Sequence, residues 1–137
     1  MSCKSNIYVA TTTSSAVVAN GVLPLATIVR RRGCDVNLSG NSVAITDCGS
    51  NYYLVIVNAT FTAPAAGTVS LAIQQNGTTV TGGVASTTIT TATTEVRTLT
   101  IPVIVRTFNN NGVDALTILN TGVAATFSNI TMTVEKL

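Results

Sequence analysis

The side chains with reactive potential in this 137-residue sequence are three cysteines, five acids and seven basic residues; there is no histidine. Without histidine, neither a Ser–His nor a Cys–His couple can be built. The acids Asp35, Asp47, Glu95, Asp114 and Glu135 are dispersed, and no two stand at a spacing that demands a shared acid–base site. Cys3, Cys34 and Cys48 lack zinc-type spacing, and no acidic cluster suits calcium. There is no P-loop and no dinucleotide fingerprint; "TGGVAS" at 81–86 is expected as a loop between strands. The sequence predicts no enzyme, no metal and no cofactor.

What does stand out is "IVRRRGCDV" at 28–36, which gathers three of the seven cations at Arg30, Arg31 and Arg32. On an extended strand Arg30 and Arg32 share a face with Cys34, and Arg31 points the other way. Three roles fit: a solvated positive edge, a ring of ion pairs between subunits, or docking onto an acidic partner surface such as a capsid shell. Asp35 and Asp47 are expected to neutralise these arginines. Cys34 and Cys48 flank "DVNLSGNSVAITD", whose "SGN" turn brings them near one another. Two readings stand, a disulfide if the protein matures outside the cell and two reduced thiols otherwise. Tyr52 and Tyr53 lie in "NYYL", which reads as core or subunit packing rather than a sugar-stacking patch. Four N-x-S/T sequons follow from a composition rich in Asn and Thr, and are not evidence of glycosylation without a signal peptide.

The elements that must carry these residues are strands. β-branched residues dominate and turn clusters recur about every ten positions. Strands are predicted near 5–11, 24–31, 34–38, 42–46, 51–62, 67–75, 78–81, 84–91, 95–106, 114–120 and 124–136. In the strand at 51–62, Tyr53, Val55, Val57, Ala59 and Phe61 share one face; its first half is apolar on both faces and is expected to be buried on both. Leu99, Ile101, Val103 and Val105 form one face of the next long strand, and Pro102 within it calls for a sheet edge or a bulge. No stretch has helical periodicity. Many short antiparallel strands with one apolar face make an all-β sandwich or barrel. Residues 1–20, small and Ser/Thr-rich, are predicted to leave a domain spanning 21–137 as an attachment arm.

Charged residues are 9% of the chain, against ~25% in an ordinary soluble domain. A surface polar through Thr, Ser, Asn and Gln offers little repulsion against association, so an oligomer is expected. A net charge of +2 is too small for a general nucleic-acid binder. No apolar run is long enough for a transmembrane helix, and the N-terminus lacks a secretory core. Synthesis in a cytosol without a signal peptide is expected, with no nucleic-acid or membrane partner.

From about Asn20 onward, "GVLPLATIV", "GSNYYLVIVNATFTAPAAGTVSLAIQQNG", "TLTIPVIVRTFNNNGVDALTILNTG" and "ATFSNITMTVEKL" together resemble the C1q/tumour-necrosis-factor-like jelly-roll family. The combination of "IVRRRGC", a Tyr-Tyr strand, "FTAPAAG" and "NITMTVEKL" is similar to small phage and prophage proteins, and to the heads of spore-surface collagen-like proteins. The resemblance implies an antiparallel jelly roll that forms a tight trimer on a particle surface. This chain departs by lacking a Gly-X-Y stalk. The expected role is therefore structural. The chain would be a homotrimeric decoration or head-fibre-like protein on a bacteriophage virion, contacting the major capsid protein or another virion protein. Alternatives are the receptor- or glycan-binding head of a fibre and a spore-surface layer protein.

Overall fold

The computed structural model describes residues 4–47, 49–107 and 112–137, and among these are eleven strands and no helix. In chain order they are β1 (Asn6–Thr11), β2 (Ser15–Val17), β3 (Thr27–Arg32), β4 (Val36–Ser39), β5 (Ser42–Ile45), β6 (Tyr52–Thr62), β7 (Gly67–Gln75), β8 (Thr78–Ile89), β9 (Arg97–Arg106), β10 (Asp114–Asn120) and β11 (Ala125–Lys136). They form two antiparallel sheets. The first runs β3-β1-β11-β6-β9, with β2 extending it beside β11; the second runs β4-β5-β10-β7-β8.

The chain crosses repeatedly between the sheets, and the alternation of each strand decides what lies between them. Val55, Val57, Ala59 and Phe61 of β6 and Met132 and Val134 of β11 point inward from the first sheet, all fully buried. Val69, Leu71 and Ile73 of β7 and Leu116 and Ile118 of β10 meet them from the second. The Phe61 and Phe127 rings pack with centroids 5.3 Å apart and planes tilted by 55°, an arrangement that suits their quadrupoles. Each fully buried side chain of this kind contributes about 1.5–3 kcal/mol.

Turn chemistry does what the residue types require. Asn76 and Gly77 join β7 to β8 with φ of 54° and 83°, the left-handed pair of a two-residue hairpin. Gly33 has φ of 86° and ends β3; a Cβ there would collide with Ser5. β9 lies at the edge of its sheet, the position that Pro102 within it called for.

The structure differs from the sequence expectations in four places. Residues 1–20 were expected to form a separate arm, but β1 is an inner strand, paired along its length with β11 on one side and with β3 on the other. Ile7 and Val9 give it an apolar buried face, and Ala10 and Thr11 are buried at its end, enough to hold a segment of small residues. The predicted strands at 78–81 and 84–91 are one strand, β8, with a bulge opposite β7 and Gly82 at φ of 83°. β3 stops at Arg32, so Cys34 does not share a strand face with the arginines. The outward face of β6, expected to be buried, is open: Tyr52 is 52% exposed, and Leu54 and Ile56 are half-buried.

Candidate functional site

Two features of the described residues bear on binding: a polar cluster between the sheets at one end, and the outer face of the first sheet. The end is that at which β1 begins and β11 finishes. Lys136 occupies the last inward position of β11, opposite Tyr53. Its Nζ lies 2.9 Å from Asp47 Oδ2 and 3.8 Å from Asp35 Oδ2. The Tyr53 hydroxyl donates to Asp47 Oδ2 at 2.9 Å. Ser5 Oγ donates to Asp35 Oδ2 at 3.3 Å, so the start of β1 is tied to the same cluster. Burial, then the hydrogen bond to Asp47 and its charge, push the Tyr53 hydroxyl far above the ordinary phenol range. The cluster is internally satisfied, and it is a clasp between β1, the β3–β4 connection, the β5–β6 connection and β11.

This placement corrects two expectations. Asp35 and Asp47 do not neutralise the arginine run; they pair with Lys136, which sequence reasoning missed. The alternation of Ile130, Met132 and Val134, continued by one step, points Lys136 inward and was the available signal. Tyr52 and Tyr53 were read together as core or subunit packing, and the structure divides them: Tyr53 is fully buried with its hydroxyl on Asp47, and Tyr52 faces out as the candidate contact. Cys34 is exposed, and Cys48 lies outside the described residues, so both readings of this pair stand as they were.

The outer face of the first sheet is ordered by register. Tyr8, Thr133, Ile56 and Pro102 stand side by side across β1, β11, β6 and β9. The next row holds Asn6, Glu135, Leu54 and Ile104, and beyond it Tyr52 pairs with Arg106. Ile104 is 56% and Tyr8 36% exposed. An apolar strip thus runs over β6 and β9. Arg30 and Arg32 flank it on β3, beside Tyr8 and Asn6. Arg31 points to the opposite side, as alternation predicts, and its Nε donates to the Val36 carbonyl at 2.8 Å.

At the other end of the sandwich the charged residues are few. Glu95 accepts from the amides of Thr90 and Thr91, the Thr90 hydroxyl and Arg97 Nε, the last at 2.6 Å. Arg97, then these hydrogen bonds, hold its carboxyl down to about 2. That one side chain organises the 90–96 loop, and explains why β9 begins at Arg97 rather than at 95. Among the described residues no group of three or more His, Cys, Asp or Glu could hold a metal ion, and no helix is long and apolar enough to cross a membrane. Asp114 is buried, with Oδ1 accepting from Asn76 Nδ2 at 2.7 Å.

The sheet order and these interleaved connections define a jelly roll of the C1q/tumour-necrosis-factor type. Among solved structures, the chain is similar to murine APRIL at pH 5.0, with TM-score 0.70 and 13% identity over 98% of this chain and 100% of that one. It is also similar to PRD1 vertex protein P5, with TM-score 0.60 and 14% identity over 99% and 98%. The globular domain of zebrafish complement 1qA protein aligns with TM-score 0.53 and 10% identity over 95% and 94%. No family model matches the sequence, and no curated protein does. At these identities the likeness is one of fold.

Proposed function

We propose that this chain is a non-enzymatic structural subunit of a bacteriophage virion surface. It assembles as a homotrimer through the apolar strip that runs over β6 and β9 on the outer face of the first sheet, with the arginines of β3 beside that strip rather than under it, and decorates a shell formed by the major capsid protein or another virion protein. The observation that carries this reading is the apolar strip of Tyr8, Tyr52, Leu54, Ile56, Pro102 and Ile104, which the strand register gathers side by side on one sheet face. A strip of that kind marks a contact surface. The likeness to a virus vertex protein supports the virion setting. The absence of histidine and the satisfaction of Asp35, Asp47 and Lys136 by one another support a role without chemistry.

Light scattering on the purified chain tests assembly, with a trimer mass expected at micromolar concentration and a stable monomer refuting it. Peptides of this chain in density-purified virions test the setting; their absence from virions, while the cell lysate contains them, refutes it.

A further inference from the structure

The charges of this chain are sorted along its length in space, though not in sequence. The Glu95–Arg97 pair, closed on itself at 2.6 Å, holds the charge of one end. The other ten of the twelve charged residues lie toward the opposite end, where Arg32 pairs with Asn6, Asn6 with Glu135, Tyr52 with Arg106, and Ile45 with Asp114. The acids at this end are mostly drawn inside: Asp47 and Asp114 are buried, and Asp35 is bonded to Ser5 and paired with Lys136. Of the cations only Lys136 is drawn in with them. Lys4, Arg30, Arg31, Arg32 and Arg106 are all exposed, and the exposed acid among them is Glu135. A chain of net charge +2 therefore presents a cationic pole and a pole whose one acid and one cation balance each other.

We infer that the cationic pole is the surface by which the protein docks onto an acidic protein surface, and that the pole bearing Glu95 and Arg97 faces away from it. This deepens the virion-surface reading and rests on it. Four of the five cations are arginines, whose planar forks pair bidentately with carboxylates. Rotational symmetry about one axis tilts every copy's pole the same way along that axis, so a trimer presents three such poles to one surface. Each contact is weak alone, and linking three multiplies their effect. A phosphate polymer fits less well, because the exposed cations are few and Glu135 lies among them.

The test uses the full chain and two variants of equal net charge. Arg30→Gln/Arg32→Gln removes two cations from the pole, and Val18→Glu/Ala65→Glu adds two anions at the exposed far end. Capture on immobilised poly-L-glutamate at low salt is the readout. The arginine variant is expected to bind about tenfold more weakly than the parent, the far-end variant close to the parent, and the parent to be released by salt. Equal weakening of both variants, or no capture of the parent, overturns the inference. So does tighter capture on duplex DNA than on polyglutamate, which would make the partner a nucleic acid. Light scattering on the same samples separates the two readings. If the arginine variant alone becomes monomeric, the arginines are subunit contacts and the docking inference falls while assembly stands. If the parent is itself monomeric, the assembly reading fails, and the capture experiment still decides the pole.

Discussion

Lys136 is the residue on which the end of the sandwich depends. It faces Asp47 and Asp35 with little solvent access, so Lys136→Met leaves two carboxylates without their cation. A loss of about 3 kcal/mol is expected in urea unfolding, the usual cost of breaking an enclosed pair from one side. Tyr53→Phe removes one hydrogen bond to Asp47 and keeps the ring, so a smaller loss of about 1–2 kcal/mol is expected. The two titrations run in opposite directions. The folded Tyr53 hydroxyl keeps its proton well above the value at which the unfolded phenol releases it. Its contribution is therefore complete below pH ~10 and declines as pH rises beyond it, a decline that Tyr53→Phe should flatten in alkaline unfolding curves. Glu95 is held down to about 2, so its contribution is complete above the ordinary carboxylate range and is lost as pH falls through about 2. Protection of the Thr90 and Thr91 amides, measured against their intrinsic exchange rates, should fall in that acid window in the parent, and that fall should be absent in Glu95→Gln.

At the scale of elements, β1 decides between an arm and a wall. It lies between β3 and β11, and its removal strips both neighbours of a ladder and uncovers the inward face at Ile7 and Val9. Deleting residues 2–16 is therefore expected to yield insoluble or unfolded chain by circular dichroism and gel filtration. A soluble β-rich product would mean that β1 is dispensable. Gly33→Ala tests the same junction more gently. It puts a Cβ against Ser5 at a left-handed φ, and a loss of about 1–3 kcal/mol is expected. The strand pattern itself was legible because period-two alternation and Asn/Gly turns are local signals. The bounds of β6, β7, β10 and β11 fall within a residue of expectation. β2 was not, because three residues of Ser-Ala-Val pair with the start of β11 without any pattern of their own.

For the whole molecule, neighbouring residues of β6 separate folding from assembly. Val55 is buried between the sheets, and Ile56 lies on the open face. Val55→Glu should prevent folding, since an unpaired carboxylate in a core costs several kcal/mol. Ile56→Glu should leave a β-rich chain by circular dichroism, but shift its light-scattering mass to that of a monomer. If Ile56→Glu keeps the parent's mass, the outer face is not the subunit contact.

What the sequence by itself determined was local or compositional. Alternation established which residues of a strand share a face, Asn and Gly established the turns, and the missing histidine removed the common catalytic couples. The low charge pointed to association. The tertiary structure decided which face of β6 the second sheet covers, since alternation alone cannot tell a covered face from an open one. It also decided that Asp35 and Asp47 meet Lys136 rather than the arginines, and that five exposed cations stand toward one end while Asp47 and Asp114 turn inward. Those outcomes depend on the order of strands within each sheet and on how the sheets stack. Both are set by long-range packing between segments far apart in the chain, which no local pattern records.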